Sequence, residues 1–253
     1  MSKIEINNLT VSYIEKKKSF TALKNVSFSI EEGEFVSVIG SSGCGKSTLL
    51  SILEGINTPT EGEILINGEP VTGTGADRGV VFQHYSLFPW MTARKNVAFG
   101  IKQVNKTATR AERYQLADEF LEKVGLERFK NKYPSQLSGG MQQRVAVVRG
   151  VINQPEVLFA DEPTGALNSQ NTTNVLDILS DLNDQGQTIV MVTHTVKAAE
   201  RANRVIYLSD GVISDEIDLG PYIGDYKDES NPQKEEAVMR HRKLKDFLAE
   251  QGW

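Results

Sequence analysis

Cysteine is nearly absent from this 253-residue chain, and long apolar runs are absent altogether. The one cysteine, Cys44, excludes an internal disulfide and suits a reducing compartment. A transmembrane helix needs about 18 or more consecutive apolar residues, and no run approaches that length. The first residues, Met1 to Ile6, also lack the apolar core of a signal peptide. We therefore expect a protein that does not cross a membrane by itself.

An excess of basic charge is lacking as well, because 28 lysines and arginines stand against 33 aspartates and glutamates. The net charge of −5 argues against a nucleic-acid binder that relies on phosphate contacts. Hydrophobic residues make up 39% of the chain and charged residues 24%, which are ordinary globular values. The length suits one large domain, or one domain with a subdomain.

The most informative segment is the glycine-rich stretch 40–48, GSSGCGKST, which fits the pattern G-x-x-x-x-G-K-[ST]. A strand candidate at 35–39 precedes it and a helix candidate at 48–53 follows it, as a phosphate-binding loop requires. Glycine lets several backbone N–H groups point at one anion, and the helix start adds its dipole. We expect Lys46 to reach the β- and γ-phosphates and Ser47 to hold Mg²⁺. The candidate nucleotide-binding residues of this loop are Gly40, Ser41, Ser42, Gly43, Cys44, Gly45, Lys46, Ser47 and Thr48.

Apolar periodicity predicts the other elements. Residues 4–30 alternate as strands do, apart from a basic turn at Lys16 to Lys18, whereas helical periodicity dominates from about 91 to 150. Strand and helix candidates then alternate from 157 to 208, which predicts a mostly parallel sheet covered by helices. The polar tail ends in a charged helix candidate at 234–249, which we expect to be solvated rather than a regulatory or dimer surface.

Two acidic residues follow the apolar strand candidate at 157–160. This strand should deliver Asp161 to the end of the sheet beside the phosphate loop, where its carboxylate can hold Mg²⁺. Glu162 can then face a water aligned with the γ-phosphate, as a general base requires. Taken alone, the pattern is an ordinary strand end, and the phosphate loop is what makes it a candidate site.

A second helix start carries the sequence LSGGMQQR at 137–144. Ser138 is the predicted N-cap of a helix that runs to about Val151, and Gly139 and Gly140 leave N–H groups open to an anion. An ordinary serine-capped helix is the alternative. Two phosphate-binding helix starts in one chain are most simply used in a dimer, where two chains grip each nucleotide.

These motifs, with Gln83 and His194 and in this order, resemble the ATP-binding subunit of ATP-binding cassette (ABC) transporters over residues 2–215. The resemblance implies an α/β fold of the P-loop NTPase (RecA-like) type. It has a mostly parallel sheet core, an antiparallel β subdomain and a helical subdomain that carries the signature motif. The implied ATPase domain spans 1–220, with the helical subdomain at about 91–152, and a charged extension covers 221–253.

The resemblance also implies roles for single residues. Tyr13 would stack on adenine, although Phe20 is nearby and a plain strand-face aromatic is the alternative. Glu162, His194 and Gln83 would be catalytic, with His194 on the γ-phosphate and Gln83 near the attacking water. The metal ligands would be Ser47, Gln83 and Asp161. The signature residues, which reach the ATP of a partner chain, would be Ser138, Gly139, Gly140 and Gln142. His84 and His241 have no such context and are interpreted as surface histidines.

One departure from the family pattern is visible. The chain has Gly165-Ala166-Leu167-Asn168 where Ser-Ala-Leu-Asp is usual. Asn168 keeps the size and hydrogen bonding of aspartate without its charge. We expect hydrolysis to survive, because Glu162 and His194 are present, and coupling between two sites to be what the change affects.

The resemblance further implies that the chain uses ATP and Mg²⁺, forms a homodimer and binds no nucleic acid. It would sit on the cytoplasmic face of the membrane through transmembrane permease subunits, with an extracytoplasmic solute-binding protein in the same system. The aromatic segment 85–92 is the expected docking surface for the permease, and subdomain core is the alternative.

Two branches of the family share features with the sequence. Residues 83–100 are similar to importers of nitrate, sulfonates and taurine, which favours a small anion or an organosulfonate-like solute. Residues 160–167 are similar to lipoprotein-release and macrolide-export systems instead. A soluble ATPase outside transport is a third alternative. We favour the importer, because the docking segment follows the partner more directly than an active-site strand does.

Overall fold

The computed structural model describes residues 2–15 and 18–253. Lys16 and Lys17 of the predicted basic turn therefore lie outside the described residues. The chain forms two compact units, one within residues 1–74 and 183–253 and the other within residues 75–182. The phosphate loop and His194 belong to the first unit, whereas Gln83, the signature motif and the acidic pair belong to the second.

Ten strands and seven α-helices lie within the described residues. The strands are β1 (Ser2–Glu15), β2 (Lys18–Glu31), β3 (Phe35–Ile39), β4 (Glu61–Ile66), β5 (Glu69–Pro70), β6 (Arg78–Val81), β7 (Val157–Asp161), β8 (Thr188–Thr193), β9 (Arg204–Ser209) and β10 (Val212–Asp218). The helices are α1 (Lys46–Leu53), α2 (Ala93–Val104), α3 (Arg110–Lys123), α4 (Gly139–Val151), α5 (Ser169–Asp184), α6 (Val196–Ala199) and α7 (Lys234–Glu250).

The first unit contains an antiparallel sheet in the order β2-β1-β4-β5. Ile4 and Ile6 of β1 are buried, and a register shift after Ile6 moves the buried face to Leu9 and Val11. The shift falls at Asn8, whose φ of 50° is left-handed. This sheet corresponds to the antiparallel part that the sequence predicts.

The same unit contains three parallel strands, with β3 between β8 and β9, and β10 antiparallel at the edge of β9. Every residue of β3 and β8 is buried. Such continuous burial is typical of parallel strands whose two faces are both covered. In the second unit, β6 and β7 form another parallel pair. The predicted mostly parallel sheet is therefore confirmed.

Helices α2, α3 and α4 of the second unit enclose an apolar core. Its buried members are Ala93, Val97, Ala98, Ile101, Ala117, Leu121, Leu126, Leu137, Val145, Val148 and Ile152. Two helices have side-chain N-caps that the sequence makes readable, since Thr92 accepts from the N–H of Lys95 and Thr109 forms a capping box with Glu112. The predicted helical region at 91–152 lies inside this unit.

Three elements differ from what the sequence pattern indicates. Strand β10 was not predicted, because most of its residues are exposed and its sequence, VISDEID, is rich in acidic residues. Helix α6 ends at Ala199, although the sequence from 196 to 202 favours a helix over its whole length. The sequence EEGE at 31–34 is typical of a hairpin turn between two strands, but it closes no hairpin, because β2 and β3 belong to different sheets.

The tail helix α7 is not the solvated helix that its charged sequence predicts. One face packs on the first unit, and the buried residues on that face are Ala237, Arg240, Leu244, Phe247 and Leu248. Charged residues occupy most of the remaining positions, and their number hides the apolar stripe when the segment is interpreted from its composition.

Candidate functional site

The phosphate loop leaves the carboxyl end of β3 and enters α1 at Lys46. Gly43 and Gly45 have φ angles of 81° and 111°, a left-handed conformation that side chains disfavour. Gly45 is the N-cap of α1, and no side chain of the described residues caps this helix. The first N–H groups of a helix have no partner within the helix. The start of α1 is therefore open to an anion.

The loop is held in place by backbone contacts with β9 and the turn after it. A β-carbon at Gly40 would lie 2.1 Å from the carbonyl oxygen of Leu208, so only glycine fits there. The N–H of Gly211 donates to the carbonyl of Cys44 over 3.0 Å. Because these contacts involve backbone atoms, the loop has its anion-binding shape before any ligand arrives.

Lys46 is buried, with 8% of its surface exposed. Its Nζ donates to the carbonyl oxygens of Gly40, over 2.6 Å, and Ser41, over 2.9 Å. The Sγ of Cys44 lies 3.8 Å from the same Nζ, and Cys44 is buried as well. The ammonium group is thus held across the mouth of the loop by two neutral carbonyls, which a phosphate can replace as partner.

His194 lies at the same edge of the parallel strands as the loop. Thr193 of β8 is paired with Ile39 of β3, so the residue after each strand, His194 or Gly40, leaves the sheet at the same level. The Thr193 hydroxyl accepts from the N–H of Thr195 over 3.1 Å, and Thr195 caps α6. The His194 side chain is exposed. The predicted proximity of His194 to the phosphate loop is therefore supported by strand register.

In the second unit, strand register brings Gln83 and the acidic pair to one edge. Val81 of β6 is paired with Ala160 of β7, and the strands run parallel. Asp161 directly follows Ala160, and Gln83 lies two residues beyond Val81. Both side chains therefore leave their strands at the same end, as the sequence predicts for a shared site.

Glu162 has a φ of 45°, which is rare for a residue with a side chain. The turn is closed by the N–H of Gly165, which donates to the carbonyl of Glu162 over 3.0 Å. A β-carbon at Gly165 would lie 2.9 Å from the Nε2 of Gln83. Gln83 therefore packs against the turn that carries Glu162, and glycine at 165, where the family usually has serine, leaves room for the amide. Left-handed backbone at such a position is typical of functional turns.

The signature helix α4 begins in a different way from α1. The Ser138 hydroxyl accepts from the N–H of Met141 over 3.3 Å, as the sequence predicts. A β-carbon at Gly139 would lie 2.6 Å from the Tyr85 hydroxyl, and one at Gly140 would lie 2.3 Å from the Asn171 side chain. The side-chain amide of Gln142, a predicted signature contact, donates to the Leu137 carbonyl over 3.1 Å.

The two aromatic candidates for adenine stacking lie side by side. Tyr13 of β1 is paired with Phe20 of β2 across the antiparallel sheet. Their exposed fractions are 42% and 62%. Either ring, or both, is available to a planar base, and Tyr13 stays the predicted residue.

Comparison with known proteins assigns the family. The sequence model of the ABC transporter family matches residues 23–165, from within β2 to beyond Glu162. The chain belongs to the ABC transporter family. It is an ATP-binding subunit of that family and an ATPase, so the predicted family and enzyme class are confirmed.

Relatives occur on both sides of the import and export division. The nitrate import ATP-binding protein NrtD of Synechocystis sp. is 47% identical over 220 residues, which cover 85% of this chain and 82% of NrtD. The macrolide export ATP-binding/permease protein MacB of Mannheimia succiniciproducens is 41% identical over 230 residues, which cover 87% of this chain and 36% of MacB. The similarity to NrtD confirms the predicted importer branch.

A solved dimeric structure of the ATP-binding cassette MJ0796, in a post-hydrolysis state with ADP and Pi, has the same fold. The TM-score is 0.79 and the sequence identity 40%, and the match covers 85% of this chain and 98% of MJ0796. The P-loop NTPase fold class predicted from the sequence is confirmed. Among the described residues of the ABC subunit, no helix is long and apolar enough to cross a membrane.

A feature of the ABC subunit that sequence reasoning missed lies directly after Gln83. Tyr85 and Ser86 have φ angles of 55° and 48°, two left-handed residues in succession without glycine. The Arg149 guanidinium, from the far end of α4, donates to the Ser86 carbonyl over 2.6 Å and to the Tyr85 carbonyl over 3.3 Å. Burial lowers the pKa of Arg149. The only sequence signal is one arginine within the apolar stretch 145–151.

Two further residues of the ABC subunit have clear local roles. Asn168, the departure from the family pattern, is a helix cap, because its Oδ1 accepts from the N–H of Asn171 in the first turn of α5 over 3.0 Å. His241 is not the surface histidine that was predicted. Its ring stacks on Tyr226 at 3.8 Å and its Nδ1 lies 2.9 Å from a carboxylate oxygen of Glu200. His84 is exposed, as expected.

Proposed function

We propose that this chain is the ATP-hydrolysing motor of a membrane importer for a small anion or an organosulfonate-like solute. The observation that carries the proposal is the register of β3 and β8: the strands that lead to the open phosphate loop and to His194 end at the same level of the sheet. The similarity to a nitrate import protein favours the importer. The proposed ATPase domain spans 1–220, with a helical subdomain at about 91–152 and an extension at 221–253.

The phosphate loop binds the nucleotide in this proposal. Lys46 exchanges its two carbonyl partners for phosphate oxygens, and the N–H groups at the start of α1 donate to the same group. Tyr13 stacks on the base, with Phe20 beside it. The loop residues Gly40 to Thr48 thus hold the triphosphate, while His194 hydrogen-bonds the γ-phosphate from the neighbouring strand end.

The residues proposed to hold Mg²⁺ are Ser47, Asp161 and Gln83. Their donor atoms are a hydroxyl, a carboxylate and an amide oxygen, the hard oxygen donors that this ion prefers, so the set fits the metal. When bound, Mg²⁺ supplies positive charge that neutralises the phosphate oxygens. Glu162 accepts the proton of the attacking water, and Gln83, which packs against the Glu162 turn, orients that water.

The signature helix is proposed to act on the nucleotide of a second, identical chain. Ser138, Gly139, Gly140 and Gln142 would meet the γ-phosphate held by the partner's loop. The dimeric state of MJ0796, a relative with the same fold, supports this arrangement. Closure of the dimer would follow ATP binding, and its reopening would follow hydrolysis, because the bridging phosphate is then no longer attached.

The segment 85–92 is the proposed docking surface for the transmembrane permease. Trp90 is 68% exposed, and the Phe88 ring lies 5.5 Å from it and 4.8 Å from Phe99. The buried Asn96 side chain fixes the segment by accepting from the N–H of Phe88 and donating to the carbonyls of Phe88, Met91 and Thr92. A fixed backbone with an exposed aromatic ring is suited to a protein partner.

Through this surface the chain would sit peripherally on the cytoplasmic face of the membrane, in a system with an extracytoplasmic solute-binding protein. Export is the second candidate, favoured by residues 160–167 and by the similarity to MacB. Import and export can be distinguished by purifying a Glu162→Gln chain from membranes with ATP and identifying the proteins that co-purify. A small permease with a solute-binding protein supports import, and a permease with a large extracytoplasmic domain supports export.

The same variant tests the motor itself. We expect Glu162→Gln to lower ATP hydrolysis by at least about 100-fold and to accumulate an ATP-bound dimer, measured by phosphate release and by light scattering after gel filtration. Glu127→Gln, an exposed residue in the helical unit, is the matched control and should hydrolyse ATP normally. Normal hydrolysis by Glu162→Gln would show that the base is a different residue, and recovery only from the soluble fraction would contradict the transporter.

A further inference from the structure

The N-terminal half of α7 makes hydrogen bonds to the carboxyl end of α6. Arg240 is only 7% exposed, although it carries a guanidinium group. That group donates to the carbonyl of Glu200, to that of Ala202 over 2.5 Å, and to that of Gly220 over 3.3 Å. Glu200 is the residue directly after α6. A buried arginine thus satisfies the carbonyls at the carboxyl end of this short helix, where a cation is favoured.

The next residue of the tail, His241, contacts the side chain of Glu200. The Nδ1 of His241 lies 2.9 Å from a carboxylate oxygen of Glu200, and the His241 ring stacks on Tyr226. Burial raises the pKa of Glu200 above its ordinary value, although the nearby His241 and Arg240 offset part of that rise. Two consecutive tail residues therefore bind the backbone and the side chain of Glu200.

Helix α6 begins two residues after His194. It has only four residues, and an isolated helix of that length is unstable in water. Its position is therefore set by tertiary contacts: Ala198 and Ala199 are buried, and both ends of the helix are held by hydrogen bonds. Thr195 caps the amino end, and Arg240 with His241 holds the carboxyl end. The backbone from Thr193 to Ala202 is fixed between these two points.

We propose that the tail helix α7 positions His194. It does so by holding α6, and Arg240 and His241 are the positioning residues. The inference rests on the proposed role of His194 at the γ-phosphate. It gives a role to a tail that the motifs of the ATPase leave unexplained. The carboxyl end of α7 contacts β10 instead, where Gln251 and the Ser214 hydroxyl are 2.9 Å apart, so the two halves of the helix can be tested separately.

The experiment uses the full chain and the ring resonances of its three histidines, labelled with carbon-13. Arg240→Gln is expected to shift or broaden the His194 resonance without nucleotide, and Arg240→Lys, which keeps the charge, to restore part of the native position. The turnover number should fall about three- to tenfold in Arg240→Gln, with KM for ATP changed less than about twofold. His241→Gln serves as a second, milder variant should Arg240→Gln fail to fold.

Two controls separate positioning from general stability. Arg242→Gln changes an exposed residue of the same helix, and Gln251→Ala loosens the other end of α7. Both should leave the His194 resonance and the turnover number unchanged. An unchanged His194 resonance and turnover number in Arg240→Gln and His241→Gln, with only a lower Tm, would overturn the inference. Normal hydrolysis by His194→Ala would instead count against the proposed function. The His194 resonance of the Arg240→Gln chain would still report whether the tail positions the ring.

Discussion

The two helix starts that the family uses for phosphate are built differently in this chain. At the start of α1, the N-cap is a left-handed glycine without a side-chain cap, and Gly40 lies against the backbone of β9. At the start of α4, Ser138 caps the helix, and the tips of the Tyr85 and Asn171 side chains lie against its glycines. The first start is fixed by backbone atoms, and the second is covered by side chains that can rotate.

This difference bears on the roles proposed for the two helix starts. A loop held by backbone contacts is preorganised, so it needs little rearrangement to bind nucleotide. A helix start that is capped by its own serine and overlaid by side chains gains an anion only when those groups move. In the proposed function, the first unit would hold nucleotide in the single chain, and the second would respond when a partner chain brings one.

The largest effect is expected from Gly40→Ala. The new methyl group would meet the Leu208 carbonyl at 2.1 Å, and that oxygen belongs to strand β9, which cannot shift locally. We expect nucleotide affinity to fall at least about 100-fold, measured with a fluorescent ATP analogue, together with a lower Tm. Gly73→Ala is the control, because no atom lies within 4 Å of its β-carbon position. Native affinity in Gly40→Ala would mean that the first helix start is as adaptable as the second.

Gly139→Ala should have a smaller and different effect. Its methyl group would clash with the Tyr85 hydroxyl at 2.6 Å and make an ordinary contact with Leu167 at 3.6 Å, and the Tyr85 side chain can turn away. We expect the single chain to bind nucleotide within about twofold of the native affinity, while hydrolysis falls about 10- to 100-fold because the methyl group obstructs the partner's phosphate.

The double variant Gly139→Ala with Tyr85→Phe sharpens this test. Removal of the hydroxyl should restore the Tm and leave hydrolysis low, as measured by thermal unfolding and phosphate release. Recovery of hydrolysis as well would show that the glycine serves packing against Tyr85 rather than the phosphate of a partner chain.

The sequence predicts much of the first helix start and less of the second. The spacing of Gly40 and Lys46 identifies a loop whose geometry is local, so pattern alone suffices. The contacts of Gly139 depend on Tyr85, and the left-handed turn at Tyr85 depends on Arg149 from 64 residues further along the chain. A single sequence carries no mark of such long-range pairings, and for the same reason the burial of Arg240 on the tail helix was not predicted.

An intermediate effect is expected from Arg149→Lys. This variant tests whether Arg149, near the end of α4, holds the Tyr85 turn, which lies against the start of the same helix. A lysine cannot donate to both the Tyr85 and Ser86 carbonyls in the geometry of the planar guanidinium. We expect a loss of about 1–3 kcal/mol in the free energy of unfolding, measured with urea, and greater mobility of the segment 85–92. Arg128→Lys, at an exposed position, is the matched control. Equal stability of the two variants would show that the Arg149 hydrogen bonds do not hold the Tyr85 turn on the signature helix.

The smallest effect is expected from Asn168→Asp, which restores the residue that the family usually has. Asparagine and aspartate are equally good N-caps, and Asn168 accepts one hydrogen bond from the N–H of Asn171. The added charge lies at the positive end of α5, so the free energy of unfolding should rise by no more than about 0.5 kcal/mol. ATP turnover should stay within about twofold, since the acidic residue proposed as base, Glu162, is unchanged. A change of turnover beyond about tenfold, at unaltered stability, would mean that the charge at this position acts on the chemistry across the dimer. Electrostatics would then reach the second helix start through α5, because Asn168 caps α5 and the Asn171 side chain of that helix lies against Gly140.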